Sequence, residues 1–397
     1  MRDQEISANH AAWLRREVAG WQAEGLVDDV GAASILARYP VGQRASVVRL
    51  ISVLGAAFVG VGLISLVASN IDEMSPSLRF GGIAFGWLAA VIVGELLARR
   101  DDADAQRGVD DRPSLAVGSA RLVAVAAYGA TIFQAAQSLQ VPAYSSLLVG
   151  CWAAGALAYA YACRGAGPLV VGVATLVGWY AWAVGERSGT AAAVVAALLA
   201  AAVVTTAVAG VHDTGRLRPF AAPWSYAGAA LALIGLFVAA IPQVGEDGLN
   251  LAPPHIGGFA LAVVFAAGVA SLGGTQVRRE AVAALAILGA GLLLLSWTPA
   301  DVDDDALSGG ELTRALFATA IYLAAAVWFA VVGAVRDRPQ LTNLATAALV
   351  VFVTMQSFGV FAPLLSGAAL FLVLGIVLLA VGVLADRGRR RIVEEVA

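Results

Sequence analysis

Apolar residues of this chain fall in blocks of about 20, separated by short polar stretches. An α-helix needs about 20 residues to cross the ~30 Å hydrocarbon core of a bilayer. The pattern predicts twelve transmembrane spans, which are 47–69, 79–98, 118–138, 144–163, 167–185, 190–211, 223–241, 255–273, 280–297, 314–335, 341–358 and 363–385. The eleventh span is the weakest, because Thr342, Asn343, Thr346, Thr354 and Gln356 dilute its apolar run.

The arginines test this count independently, since positive charge collects on the cytoplasmic side of a membrane protein. With the N-terminus inside, all arginines fall on the inner side except Arg79, Arg187 and Arg314. A miscounted span would reverse that assignment for every loop that follows it. The distribution therefore supports twelve spans with both termini in the cytoplasm.

Composition agrees with a polytopic membrane protein. Hydrophobic residues make up 60% of the chain, charged residues 13%, and the mean hydropathy is +0.81. Soluble domains are nearer half apolar and a quarter charged. We therefore expect an all-α membrane protein whose main partner is the lipid bilayer, and no nucleic acid.

Residues 1–46 precede the first span and predict a cytoplasmic helical hairpin. Three apolar residues recur at the spacing of one helix face, namely Leu14, Val18 and Trp21. Gly25 suits a helix stop, and Asp28 or Asp29 suits the N-cap of a second helix. A hairpin of this size has too small a core to be robust alone. It either packs on the inner loops, lies on the membrane surface, or binds a protein partner.

The chain also shows a weak internal repeat that predicts two six-helix halves, 47–211 and 212–385, followed by a basic tail at 386–397. Short segments recur in the same order in both halves: LGAAFVGVGL (54–63) with AGAALALIGL (227–236), FGGIAF (80–85) with IGGFAL (256–261), and YGATIF (128–133) with LGAGLL (288–293). Six is an even number, so both halves would have the same orientation in the membrane.

The stretches WQAEGLVDDVGAASILARYP (21–40) and LGAAFVGVGLISLVASN (54–70) resemble the opening of bacterial membrane proteins of the domain-of-unknown-function family 2157. The residues that match the family pattern are Trp21, Gly25, Leu26, Arg38, Tyr39, Pro40 and Asn70. Ile71 stands where the family has tryptophan, and the segment 330–391 is similar to the family's closing helices. The resemblance implies a multispanning protein of the bacterial inner membrane, and it implies no activity.

Three glutamines recur at every third position of GATIFQAAQSLQ (129–140), namely Gln134, Gln137 and Gln140. On an α-helix, steps of three produce a slanting stripe. The family resemblance accounts for Gln137 alone. Either the amides hydrogen-bond neighbouring helices, or they line a polar cavity that opens outward. The candidate cavity residues are Gln134, Gln137, Tyr128, Thr131, Asn343 and Gln356.

Glu95 is a candidate intramembrane charge, and it lies four residues before Arg99. That spacing suits an ion pair within one helix, and the alternative is a role in proton coupling or substrate contact. Of the three histidines, His10 lies in the N-terminal hairpin, His212 at an inner helix end and His255 at an outer helix start. They are too far apart to share a site. No motif predicts a catalytic group, a metal site or a cofactor, so we expect no enzyme.

Two functions remain open from the sequence. The first is a transporter or small-molecule binding membrane protein with its site between the two halves, for an unknown ligand. It depends on the number of spans, the repeat and the glutamine stripe. The second is a structural or regulatory membrane protein that acts through the N-terminal hairpin and protein partners.

Overall fold

The computed structural model describes residues 8–38, 55, 58, 75–106, 115–142, 145–213, 217–297 and 309–361. Those residues form α-helices and one 3-10 turn without a β-strand, which confirms the predicted all-α fold. The helices are α1 (Ala8–Ala23), α2 (Asp29–Arg38), α3 (Pro76–Gln106), α4 (Leu115–Ser138), α5 (Ser146–Cys163), α6 (Ala166–Ser188), α7 (Ala191–His212), α8 (Arg218–Ala239), α9 (Pro253–Leu272), α10 (Thr275–Ser296), α11 (Gly309–Val335) and α12 (Pro339–Phe361).

Among the described residues, the nine helices α3 to α11 are long and apolar enough to cross a membrane. They correspond one by one to the second through tenth predicted spans. Helix α12, which covers the weak eleventh span, is 23 residues long but is not among the nine. The predicted spans 47–69 and 363–385 lie outside the described residues, apart from Gly55 and Phe58. The chain is thus a membrane protein with multiple spans.

The chain divides into two compact units. The first comprises Met1–Ser75 and Leu88–Ala124, and the second comprises Pro76–Trp87 and Val125–Ala397. Helices α3 and α4 each contribute residues to both units. The tandem duplication into halves at 211/212 stays a prediction.

Within the first unit, α1 and α2 form two helices joined by a tight turn. Gly25 has φ +72°, a left-handed conformation that glycine adopts without strain, and it ends α1 as predicted. Asp28 Oδ1 accepts the Gly31 amide at 2.7 Å, which makes Asp28 the N-cap of α2. Val18 and Ala32 are buried, so the two helices share a small apolar core.

Within the second unit, α7 is the most buried candidate span, with 56% of its most apolar window inside the protein. It packs against α6, α8, α9 and α10. Leu199 in the middle of α7 inserts between two glycines. A Cβ added to Gly235 of α8 or Gly291 of α10 would come within 2.7 Å or 2.3 Å of a Leu199 methyl carbon. These glycines therefore permit the close helix packing around α7.

Candidate functional site

The predicted cavity residues on α4 separate into interior and surface positions. Gln134 and Thr131 are buried, and the Thr131 hydroxyl donates to the Ala127 carbonyl at 2.8 Å. Gln137 is exposed in the last turn of α4, because the helix ends at Ser138. Only part of the glutamine stripe therefore faces the protein interior.

The other candidate cavity residues, Tyr128 of α4 and Asn343 and Gln356 of α12, differ in their surroundings. The Tyr128 ring packs so closely on Gly155 that an added Cβ there would come within 2.1 Å of it, and its centroid lies 5.2 Å from that of Trp87. On α12, Asn343 is exposed and Gln356 is partly buried. That all six residues line one outward cavity stays a prediction.

Glu95 forms an ion pair, but its partner is Arg121 of α4, not Arg99 as the spacing suggested. Arg121 Nε and Nη2 each donate to one Glu95 carboxylate oxygen at 3.0 Å. Arg99 is exposed. The planar guanidinium matches both carboxylate oxygens at once, and this bidentate geometry explains why the pair between helices replaces the pair within α3.

A partly buried group of charges lies where the end of α7, the start of α10 and the turn between α11 and α12 meet. We call Asp213, Glu280, Arg336 and Arg338 the charged cluster. Arg336 Nε donates to Glu280 Oε1 at 2.7 Å, and its Nη1 donates to Asp213 Oδ2. Arg338 Nη2 lies 3.5 Å from Asp213 Oδ1, and Gln276 Nε2 donates to Glu280 Oε1 at 3.1 Å. One guanidinium thus joins two carboxylates from different helices.

The charged cluster is shielded from solvent yet balanced in charge, with two carboxylates and two guanidinium groups. Side-chain exposure is 11% for Arg336 and 10% for Glu280. Burial lowers the pKa of Arg336, but the hydrogen bonds and charges of Glu280 and Asp213 outweigh it, so that its pKa is raised. Burial and the charge of Arg336 hold the pKa of Arg338 below its ordinary value. Both guanidinium groups stay positively charged, and Arg336 is the one held by both carboxylates.

A small cavity adjoins Glu280. It has a volume of about 10 Å³ and is lined by Thr206, Ser225, Glu280, Ala284, Trp328, Phe329 and Val332. These residues come from α7, α8, α10 and α11. The volume is close to the lower limit for one water molecule, and the two hydroxyls with the carboxylate supply polar partners. The cavity lining is otherwise apolar, and Glu280 is the residue that it shares with the charged cluster.

A second polar group precedes Asp213 directly in the sequence. His212 Nδ1 lies 2.7 Å from the Val208 carbonyl, which can only accept, so Nδ1 carries the proton. Nε2 then accepts from the Tyr161 hydroxyl at 3.0 Å, and Trp224 Nε1 donates to that hydroxyl at 3.1 Å. This series of hydrogen bonds connects the end of α7 to α5 and α8.

Arg314, at the start of α11, is only 1% exposed, although no carboxylate pairs with it among the described residues. Its guanidinium donates to four main-chain carbonyls that end α8 and α10, those of Ala239, Ala240, Leu294 and Trp297. Carbonyls at a helix C-terminus carry partial negative charge. Arg314 therefore connects the C-terminal ends of α8 and α10. The charged cluster lies at the opposite end of α10.

His255 is fully buried at the start of α9, where its Nε2 donates to the Ala193 carbonyl near the start of α7 at 3.0 Å. His212 ends the same helix 19 residues later, about 28 Å away at 1.5 Å per residue. The prediction that these two histidines do not share a site is confirmed. In the described part of the chain, no three His, Cys, Asp or Glu side chains come together to hold a metal ion.

Sequence analysis singled out Glu95 and missed the charged cluster. Glu280 begins the predicted ninth span, in the run EAVAALAILGAG, and this position at an apolar boundary was the available signal. Asp213, Arg336 and Arg338 fall in predicted loops, where charges are normally solvated. Their burial depends on which helices are neighbours in three dimensions, and a single sequence does not determine the helix neighbours.

Residues 19–169 match the family described as predicted membrane protein (DUF2157). The match confirms the resemblance for the N-terminal helices and the first predicted spans, and it does not extend to the segment 330–391. No curated protein and no solved structure matches the chain.

Proposed function

We propose that this membrane protein is a transporter of a small solute, in which the charged cluster closes one end of the cavity beside Glu280. One observation carries the proposal: a partly buried, charge-balanced cluster adjoins a cavity among four spans that has three polar lining residues, Thr206, Ser225 and Glu280. Thr206 belongs to the first predicted half, whereas Ser225 and Glu280 belong to the second. The cavity thus has lining residues from both predicted halves, as expected of a transport site between them.

Buried ion pairs are poor devices for stability alone, because desolvation of the charges offsets their attraction. They suit a contact that forms in one state and breaks in another. Arg336 connects α7, α10 and the α11–α12 turn through side chains only, so small helix shifts would release it. The cavity of about 10 Å³ then corresponds to the closed state, and opening at the cluster would widen it.

The experiment is uptake by purified protein in liposomes. A panel of labelled amino acids, sugars, nucleosides and organic acids would be compared between the full chain, the Arg336→Gln variant and protein-free liposomes. We expect one solute class to accumulate with the full chain and to leak back through Arg336→Gln, which cannot hold the closed end shut. Equal permeability of all three preparations to every solute would contradict the proposal.

A second candidate function is regulation through α1 and α2, and one observation favours it. Leu26, in the turn before α2, and Val30, in the first turn of α2, are 68% and 74% exposed. An apolar pair on the surface of an extramembrane module suits a protein partner. Deletion of residues 1–42 would then abolish the cellular phenotype while membrane insertion persists. If the truncated chain supports the phenotype fully, this function is wrong.

A further inference from the structure

Glu280 has one oxygen committed to the charged cluster and one that remains for the cavity. Within the described residues, both hydrogen bonds that its carboxylate accepts, from Gln276 and Arg336, go to Oε1. Glu280 also lines the cavity with Thr206 and Ser225. Oε2 is therefore the oxygen available to anything that enters the cavity.

The cavity suits one water molecule that carries a proton to that oxygen. Its size admits about one water, and its hydroxyl-bearing residues both donate and accept hydrogen bonds. Arg336 Nη2 is buried and has no hydrogen-bond partner among the residues that the structure describes, so a neighbouring water would also satisfy this donor.

The two carboxylates of the charged cluster are held unequally. Asp213 is paired with both Arg336 and Arg338, whereas Glu280 is paired with Arg336 alone. A neutral Glu280 would lose its attraction for Arg336, and Asp213 would retain that guanidinium. Loss of the Glu280 charge therefore frees α10 from the cluster without leaving Arg336 unpaired.

The other groups near Glu280 do not substitute for it. Tyr226 of α8 interacts electrostatically with Arg338. His212 of α7 is turned to Tyr161 and the Val208 carbonyl. Arg278 and Arg279 of α10 are exposed, and α9 contributes no titratable group at this end. Glu280 is thus the one carboxylate of the described residues that touches both the cluster and the cavity.

We propose that Glu280 is a proton-binding site coupled to opening: a hydronium ion that reaches the cavity transfers its proton to Oε2 and remains as water, and the ion pair to Arg336 breaks. No other covalent bond forms or breaks, and the proton returns to water when the pair reforms. This inference rests on the proposed transport function and deepens it, because it makes the proton the coupling ion.

The test measures access to the cavity and requires no knowledge of the solute. Ser225→Cys would be introduced into full-length protein in which Cys151 and Cys163 are replaced by alanine. The purified protein in nanodiscs would be labelled with a water-soluble maleimide from high to low pH. Ser271→Cys, on the exposed end of α9, is the matched control for the reagent.

We expect the labelling rate of Ser225→Cys, relative to Ser271→Cys, to rise severalfold as pH falls. Thiolate chemistry alone gives the opposite trend, because thiols react more slowly as pH falls. Adding Glu280→Gln, which mimics the protonated side chain, should make labelling fast at every pH. The inference would be overturned by a relative labelling rate that does not change with pH. It would also be overturned if Glu280→Gln left the pH dependence of that rate unchanged.

Arg338→Gln provides a second variant if Glu280→Gln does not fold. Without Arg338, Asp213 depends on Arg336 alone and competes harder for it, so opening should shift to higher pH. A shift to lower pH, or none, would contradict the inference. The two proposals can fail separately. If Arg336→Gln loses solute uptake but the labelling rate of Ser225→Cys does not change with pH, Glu280 is not the proton site, and the transport proposal still stands.

Discussion

Arg336 and Glu280 are joined by a hydrogen bond of 2.7 Å between Nε and Oε1, although 56 residues separate them in the sequence. The bond connects the turn after α11 to the second turn of α10. The same guanidinium also binds Asp213 at the end of α7. Three elements of the second unit are thus tied together by a single side chain.

Replacing Arg336 by methionine should destabilise the protein strongly. The substitution leaves the buried Glu280 without its cation and Asp213 with Arg338 alone. Removing one partner of a buried ion pair costs about 3–5 kcal/mol. Arg338→Met is the matched control, because Asp213 then keeps Arg336, and its effect should be clearly smaller. Unfolding in mixed detergent micelles measures both, and equal effects of the two variants would show that Arg336 does not hold the cluster.

Arg314→Met should be costly as well, for a different reason. The variant removes the guanidinium donors from all four carbonyls, of which Leu294 keeps a longer bond from the Trp297 amide at 3.4 Å. A buried group left without its hydrogen bond costs about 1–3 kcal/mol. Arg314→Lys should recover part of the loss, since an ammonium group has three donors instead of five. Arg278→Met, at an exposed position, should have little effect. Thermal unfolding that ranks Arg278→Met with Arg314→Met would reject this role.

The positions of helices followed from the sequence far better than the contacts between charges. The predicted span 190–211 became α7, Ala191–His212, because bilayer thickness and apolar length constrain each span separately. The pairing of Glu95 was wrong, because the sequence offered Arg99 at the right spacing and gave no sign that Arg121 of the next helix lies closer. The Arg336 cluster was missed for the same reason: its partners come from helices whose adjacency depends on packing in three dimensions.

The pair between Glu95 and Arg121 should contribute modestly to the stability of the first unit. Its side chains are 37% and 15% exposed, so solvent screens part of the attraction, and about 1 kcal/mol is expected for the two charge-assisted bonds. Arg121→Met should therefore lower the unfolding free energy by that amount, whereas Arg99→Met should not. A larger loss of stability for Arg99→Met than for Arg121→Met would instead support an ion pair between Glu95 and Arg99 within α3.

Gly291 and Gly289 of α10 offer a matched test of the packing around α7. A Cβ at Gly291 would approach a Leu199 methyl carbon to 2.3 Å, whereas a Cβ at Gly289 would meet nothing within 4 Å. Overpacking of a dense interior costs about 1–3 kcal/mol, so Gly291→Ala should destabilise by that amount. Gly289→Ala should be neutral or slightly stabilising, because alanine favours helix by up to about 1 kcal/mol over glycine.

Adding Leu199→Ala to Gly291→Ala should relieve the clash, so the double variant should be more stable than the sum of the single effects predicts. Strict additivity in thermal unfolding would mean that Leu199 does not occupy the groove between these helices.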